Sequence, residues 1–439
     1  MIYIFPYLIS KIVLVEGYEA YGIYDLNYGR FFRVTKAAGR FLEKLTGEMH
    51  FGEYSKSEQD FICKAYNNGI IAYNKTSAKM NHTKLEDVVK NSRPLKFAWF
   101  ELTSKCNHNC LHCFMGDDLN RFKPYELNEA IKYIDVLNNR GISQLIFSGG
   151  EPFLHPEIEQ IINYTSKLPI NLAILTNGTT DVAYRLGPLL KDENIKVKIS
   201  ILGDEETHDR IVGVDGSFAR LIRTCSYYKK LGIHFELTCT VNDLNVKEVN
   251  KIKEIADSFG AFIEFSPLYC LGNATKNKSL LLNSTQRNII EVCKSNKSNI
   301  NKIDTTNSLK RSMSKSDYEA VDLQEFLTDS HECGQKIIAI QCSGLVSPCL
   351  LIRNPDYAIG NINETELHNL LNYEDKSRQD FNSLVKIDTK EKCTNCEAKY
   401  VCKGGGCIAA SYSVFKDFTH ENPYYSKCFY KDYTKACGK

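Results

Sequence analysis

A chain of 439 residues with 25% charged and 43% hydrophobic residues has the make-up of an ordinary soluble protein and is long enough for two or three domains. The formal net charge is +2, with Lys and Arg spread along the chain, which leaves no basic stripe for nucleic acid; nor is there a run of about 18 apolar residues to span a membrane. Seventeen cysteines are the outlier. Met1 to Leu14 contains Pro6 and Tyr7 and ends without a small-residue cleavage site, so it does not read as a signal peptide. The thiols are therefore expected in a reducing cytoplasm, as metal ligands rather than disulfides.

Residues 1 to about 90 read as a separate small unit. Apolar-rich strands are expected at Tyr3 to Leu8, Lys11 to Glu16, Ala20 to Leu26 and, after a turn at Asn27-Tyr28-Gly29, Arg30 to Thr35. Helices follow at about Lys36 to Leu45 and Lys56 to Asn67, then a strand at Gly69 to Asn74 and a polar linker from Asn81 to Pro94. An edge strand in such a unit offers unpaired N–H and C=O groups to an extended peptide. The alternatives are a domain that only packs against the rest, and a winged-helix DNA reader, disfavoured by the acidic mix of Glu43, Glu48, Glu53, Glu58 and Asp60.

From Leu95 apolar strands alternate with amphipathic helices. Strands are expected at Lys96 to Leu102, Gln144 to Ser148, Ile170 to Thr176, Lys196 to Leu202, His234 to Val241 and Phe262 to Leu268. The intervening helices fall at about Tyr125 to Asn139, Pro156 to Lys167, Asp181 to Lys191, Ser217 to Leu231 and Val246 to Phe259. This βαβα series predicts an α/β fold with a parallel sheet, right-handed crossovers and an open six-stranded barrel, whose sites lie at the carboxyl ends of the strands.

The first strand runs into Cys106-Asn107-His108-Asn109-Cys110-Leu111-His112-Cys113. A [4Fe-4S] cluster normally takes four cysteines, so three here, with the next only at Cys225, leave one iron for a ligand other than protein. The other reading is zinc, completed by His108 and His112. The second strand ends at Ser148-Gly149-Gly150-Glu151-Pro152, where glycines let backbone approach a ligand and Glu151 can pair with an ammonium. Thr176-Asn177-Gly178, Ser200-Ile201-Leu202-Gly203, Thr240-Val241-Asn242 and Leu268 to Ala274 end the remaining four strands. Cys63, Cys225, Cys239, Cys270 and Cys293 read as small buried hydrophobes.

Residues 275 to 330 become polar, with a helix expected near Ser284 to Lys294 and a solvated connector. Its acids Asp304, Asp317, Glu319, Asp322 and Glu325 read as surface charge. A second cysteine array follows: Cys333, Cys342, Cys349, Cys393, Cys396, Cys402, Cys407, Cys428 and Cys437. Zinc would accept two four-cysteine sets from it as readily as clusters would.

The C-x3-C-x2-C loop and the Gly149-Gly150-Glu151 turn resemble the radical S-adenosylmethionine (SAM) enzymes. In that family SAM chelates the fourth iron. The resemblance implies that Cys106, Cys110 and Cys113 ligate the cluster, that Gly149, Gly150 and Glu151 hold the methionine amino group, and that His112 and Phe114 flank adenine. It also brings Ser200 and Arg210 toward the ribose and carboxylate, although Leu202 stands where the family has Asp before Gly203. The C-terminal array resembles the SPASM domain, which carries auxiliary [4Fe-4S] clusters. By that resemblance Cys393, Cys396, Cys402 and Cys428 hold one, and Cys333, Cys349 and Cys407, with Cys342 as fourth ligand, the other; Cys437 competes with Cys428 or is free. Four residues separate Cys402 from Cys407 where the family has three. Tyr24-Asp25-Leu26 to Arg30-Phe31-Phe32 resembles the PqqD-like recognition element of enzymes that modify ribosomally made peptides.

The resemblance implies four regions: a winged-helix-like α+β peptide-recognition domain (1–90), a partial (βα)6 TIM-like barrel (95–275), a connector (276–330) and an iron-sulfur SPASM domain (331–439). It also implies an electron donor such as flavodoxin or ferredoxin and a 5'-deoxyadenosyl radical that takes hydrogen from an unactivated C–H bond. The expected substrate is a precursor peptide with a leader, given a carbon-carbon or thioether cross-link, as in the sactipeptide, ranthipeptide and streptide group. The rivals are a formylglycine-generating sulfatase activator and an iron-sulfur redox-sensing DNA-binding regulator. Neither nucleic acid nor membrane is an expected partner, and no residue is assigned as general base.

Overall fold

The structure, a computed structural model, describes residues 4–9, 11–28, 30–73, 94–283, 286–287, 332–372 and 376–423. Cys293, Cys428, Cys437, the acidic connector and most of the helix expected near Ser284 to Lys294 lie outside these.

The N-terminal domain contains β1 (Pro6–Leu8), β2 (Ile12–Glu16), β3 (Ala20–Asp25), β4 (Arg30–Thr35), α1 (Lys36–Glu43), α2 (Lys56–Asn67) and β5 (Ile71–Tyr73). β2, β3 and β4 form an antiparallel sheet in that order, and β1 pairs with β5. Thr35 caps α1 and Ser55 opens α2 in a capping box closed by Glu58, which satisfies first-turn N–H groups and fixes both starts. One face of the sheet, with Ile12, Tyr21, Ile23 and Val34, packs on Leu42, Ile62 and Ala65. Cys63 lies exposed on α2, not in the core, because Ile62 and Ala65 take the inward positions.

The barrel comprises β6 (Phe97–Thr103), α3 (Leu127–Asn139), β7 (Gln144–Gly149), α4 (Ile158–Thr165), β8 (Asn171–Thr176), α5 (Asp181–Arg185), β9 (Ile195–Ser200), α6 (Glu205–Val212), α7 (Ser217–Leu231), β10 (Phe235–Val241), α8 (Val249–Phe259) and β11 (Phe262–Pro267). β6 to β11 pair in parallel and in chain order, so all six expected strands are present. Alternation sorts the faces. In β10, Phe235, Leu237, Cys239 and Val241 are buried, while Glu236, Thr238 and Thr240 between them are half-buried. The buried set meets Cys225 and Tyr228 of α7 and Ile252 of α8 in one core, so Cys225 and Cys239 are small apolar fillers there.

Two features depart from the sequence reading. α5 is short because Gly187-Pro188 breaks it, with a 3-10 turn at Leu189–Lys191 beyond. The segment after β9 is a full helix, α6, capped by Asp204 donating no proton but accepting from Thr207 N–H, and ended by Gly213 at φ 70°.

The C-terminal domain joins the barrel sheet directly. β12 (Ile337–Ile340) pairs parallel to β6, and β13 (Leu345–Ser347) and β14 (Gly360–Asn361) extend it antiparallel, which makes nine strands in the order β11-β10-β9-β8-β7-β6-β12-β13-β14. The edge that β6 would otherwise expose is thereby paired. No helix among the described residues is long and apolar enough to cross a membrane.

Candidate active site and cysteine centres

The loop from Cys106 to Cys113 leaves β6 and is anchored to the last turn of α6 and to the turns that follow β8 and β11. Asn109 and Leu111 N–H donate to the carbonyls of Val212 and Ile211 at 3.0 and 2.9 Å. Asn273 binds both ends of the last turn, Nδ2 to Cys110 O at 3.0 Å and N–H to Cys113 O at 2.8 Å. Asn107 lies between the side chains of Thr179 and Asn177, at 2.9 and 2.7 Å. The loop therefore sits at the carboxyl ends of the strands, where the fold predicts a site.

Its three thiols are half-buried. Burial pushes Cys106 up to about 12, with Glu151 and Cys113 adding to it. Cys110 is raised by burial and then by Cys113 and Cys106. No three His, Cys, Asp or Glu side chains among the described residues stand close enough to hold a single metal ion. Cys113 acts on both Cys106 and Cys110, so the three thiols are neighbours, and thiolates are the ligands that a [4Fe-4S] cluster takes.

His108 turns away from the thiols. Its Nε2 lies 3.0 Å from Ser217 Oγ and 3.4 Å from Thr179 Oγ1, and Ser217 Oγ lies 3.2 Å from Nε2 of His208. Burial holds both histidines down at about 4. His112 differs: burial also lowers it to about 4, and its Nδ1 is buried with no hydrogen-bond partner. An unpaired buried nitrogen beside the last cysteine is what a site awaiting a polar ligand leaves.

The Gly149-Gly150-Glu151 turn is bonded to the start of the cysteine loop. Gly150 and Glu151 N–H each donate at 2.8 Å, to Thr103 O and Lys105 O. A Cβ at Gly150 would fall 2.2 Å from Lys105 O, so only glycine permits this approach. The Glu151 carboxylate is fully buried and accepts from Thr176 Oγ1 at 2.7 Å, Phe153 N–H at 3.1 Å and Asn177 N–H at 2.7 Å. These leave acceptor capacity for about one further donor. Burial outweighs the three bonds and raises its pKa to about 7.

The other expected SAM contacts are unevenly placed. Ser200 is half-buried at the end of β9, and Phe114 lies with the Arg353 guanidinium 5.9 Å from its ring centre. Arg210 is exposed in the last turn of α6, and no hydrogen bond or ion pair joins it to the strand-end residues. Asn242 serves a turn, accepting from Leu244 N–H at 3.0 Å.

Sequence reasoning missed a buried charge pair beside this loop. Glu101 on β6 is fully buried and held by Arg353, with Nη1–Oε1 2.5 Å and Nη2–Oε2 3.2 Å, and Arg353 Nε reaches Asp118 at 2.9 Å. Glu101 also accepts the Cys342 N–H at 3.0 Å. The signal was a carboxylate within Phe97-Ala98-Trp99-Phe100-Glu101-Leu102-Thr103, a strand buried on both sides. The partner's position, 252 residues away, left none.

The C-terminal cysteines fall into two groups. Cys333, Cys349 and Cys407 share one cluster with Leu271, Ile352 and Phe381. A Cys333 thiol hydrogen bond holds Cys349 below its ordinary value and Cys333 well above it, while burial pushes Cys407 up to about 11. The extra residue before Cys407 is absorbed in a left-handed run, Lys403, Gly404, Gly405 and Gly406 having φ of 52°, 74°, 89° and 84°, and Cys407 still arrives beside Cys349. The Cys342 N–H donates to Glu101 at 3.0 Å, and after burial Glu101 and Arg353 are the first groups that act on its thiol, which places it near the buried pair on β6. Cys393 and Cys396 are buried and Cys402 half-buried in the other group, against the N-terminal domain.

A thiolate loop bonded to a glycine turn at one end of an open parallel barrel, with further cysteine centres behind, is the arrangement of the radical SAM enzymes. Residues 100–257 match the Radical SAM superfamily and residues 332–397 the iron-sulfur cluster-binding SPASM domain. The protein is an enzyme with a Radical SAM domain and a SPASM domain, and its cofactors are SAM and [4Fe-4S] clusters. Among curated proteins, the AdoMet-dependent heme synthase of Methanosarcina barkeri is 27% identical over 78% of this chain and 99% of its own length. The antilisterial bacteriocin subtilosin biosynthesis protein AlbA of Bacillus subtilis is 31% identical over 37% of each chain. In fold the chain is similar to Streptococcus suis SuiB bound to precursor peptide SuiA, at 14% identity and a TM-score of 0.57 over 96% of this chain and 100% of that one.

Proposed function

We propose that this enzyme oxidatively modifies a ribosomally made precursor peptide in the cytoplasm, installing a carbon-carbon or thioether link between side chains. When bound, SAM and its cluster supply a 5'-deoxyadenosyl radical that removes hydrogen from carbon. The chain's residues bind, orient and shield. Cys106, Cys110 and Cys113 ligate three irons and leave the fourth for SAM. Gly149 and Gly150 bring backbone against the methionine moiety, and Glu151 offers its remaining acceptor position to the amino group. His112, whose buried Nδ1 has its hydrogen bond unmade, and Phe114 would flank adenine, and Ser200 and Arg210 would serve the ribose and carboxylate. Cys393, Cys396, Cys402 and Cys428 would hold one auxiliary cluster, and Cys333, Cys349 and Cys407, with Cys342 as fourth ligand, the other. These centres give the removed electron a destination. Flavodoxin or ferredoxin supplies the first electron.

The observation that carries this reading is the N-terminal sheet, whose edge strand β4 ends the β2-β3-β4 order and can take a leader as a fourth strand. The AlbA relative and the fold likeness to the SuiB–SuiA complex support it. The heme synthase relative favours a second reading, heme synthesis. The test is anaerobic incubation of the full chain with SAM, dithionite and either a candidate precursor peptide or an iron porphyrin. The peptide should lose a pair of hydrogens with release of 5'-deoxyadenosine, and the porphyrin should be unchanged. Conversion of the porphyrin alone would overturn the proposal, as would specific binding of a DNA duplex without SAM cleavage.

A further inference from the structure

The N-terminal sheet is covered on both faces. One packs on α1 and α2. The other sets Val13, Tyr24 and Leu26 against Ile387, Cys393 and Tyr400, and Phe31 against Cys396 and Ala398. The polar contacts across this second face converge on Glu397, the residue after Cys396. Its carboxylate is fully buried and held by Arg33 Nε of β4 at 2.5 Å. Its carbonyl accepts the Tyr24 hydroxyl of β3 at 2.7 Å. One residue group earlier, Tyr18 N–H donates to Asn395 O at 2.9 Å. A Cβ on Gly22 of β3 would fall 2.4 Å from Glu397 O, so strand backbone lies directly on the cysteine-bearing turn.

A buried carboxylate is tolerated when a charge and hydrogen bonds compensate it, and here the charge comes from Arg33, 364 residues away in sequence, while the Tyr24 hydroxyl, 373 residues away, satisfies the carbonyl of the same residue. The turn from Cys393 to Cys402 is thus completed from outside its own domain. We infer that the N-terminal sheet is the outer wall of the Cys393, Cys396 and Cys402 centre, and that Arg33 and Glu397 are the positioning pair that keeps its metal enclosed. This rests on the reading of those cysteines as auxiliary-cluster ligands. It gives the N-terminal domain a task beyond peptide capture, shielding a cluster from water and from oxidants.

The test uses the full chain with Cys106, Cys110 and Cys113 replaced by Ala, so that only iron held by the C-terminal cysteines is followed. Iron content is measured first, and absence of iron-sulfur absorption overturns the cluster reading; zinc release is then followed in the same way, which still tests the wall. Release to a ferrous chelator should show two phases, one for each cysteine group. Arg33→Ala should accelerate one phase at least tenfold and change the EPR spectrum of one reduced cluster. Arg33→Lys should restore part of the effect, as a charge without the guanidinium fork. Tyr24→Phe, which removes one hydrogen bond and no charge, should have a smaller effect in the same phase and serves if Arg33→Ala does not fold. Unchanged release in all three variants overturns the inference, and so does equal acceleration of both phases, which would mean general loosening.

Discussion

Replacing Arg353 with Met should destabilise the barrel more than replacing its partner Glu101 with Gln. Arg353 holds Glu101 through two nitrogens and Asp118 through a third, so removing it strands a fully buried carboxylate whose remaining donors among the described residues, the N–H and thiol of Cys342, carry no charge. Breaking a buried pair in this way costs roughly 3–5 kcal/mol. In Glu101→Gln the guanidinium keeps Asp118, which is partly solvated, so the loss is that of hydrogen bonds to a charged group, roughly 1.5–3 kcal/mol. With a midpoint shift of about 2–4 °C per kcal/mol for a domain of roughly this size, Arg353→Met should melt on the order of 10 °C lower and Glu101→Gln about half as far below the parent. The double variant should lose less than the sum, because the second change removes the charge stranded by the first. Differential scanning calorimetry under anaerobic conditions reads these midpoints. Equal shifts in the two single variants, or strict additivity in the double, would refute the assignment of Arg353 as the compensating charge.

Replacing Cys106, Cys110 and Cys113 together with Ala should abolish 5'-deoxyadenosine formation under dithionite, whereas Cys393→Ala should permit SAM cleavage while the modified product falls; chromatography of both products decides it. Glu151, raised to about 7 by burial from its ordinary value of 4.5, binds its proton in the native state at pH values where the unfolded chain has released it. Its contribution therefore grows as pH falls from about 7 to about 4.5, and the wild type should gain on Glu151→Gln across that window in denaturation experiments. His208 runs the other way. Burial lowers it to about 4 from 6.5, so the unfolded chain takes up the proton first and stability should fall as pH drops from about 6.5 to about 4, with a shallower slope in His208→Asn; an unchanged slope would show that the ring is not held neutral by the core.

The barrel was legible because its signals are local. Strand and helix alternation repeats within short windows, and β6 to β11 fall within a residue or two of their expected bounds. The cysteine loop was legible for the same reason, three ligands in eight residues. Helix α6 was not, since Glu205-Glu206-Thr207-His208-Asp209-Arg210 is polar throughout and its inward side carries a histidine, which a search for apolar periodicity passes over. The seventh barrel neighbour, β12, was also missed, because a four-residue strand such as Ile337–Ile340 acquires its place only from the exposed edge of β6.

Long-range charge pairing was the least legible layer, and for a physical reason. A carboxylate in a hydrophobic run such as Glu101 announces that compensation exists somewhere, since a buried charge without it would neutralise or unfold the site. Composition does not say where: Arg353 and Arg33 look like any other arginine of the chain. Both nevertheless sit where cysteine-bearing loops meet another domain, Arg353 between the barrel loop and Cys342 and Arg33 between the N-terminal sheet and Cys396. Loops that carry metal ligands cannot close over an apolar core of their own, because their side chains are committed to the metal. Their backbone and flanking charges must then be satisfied by neighbouring domains, which accounts for a buried ion pair standing beside the cysteines at each joint, within the apolar packing that also holds the domains together.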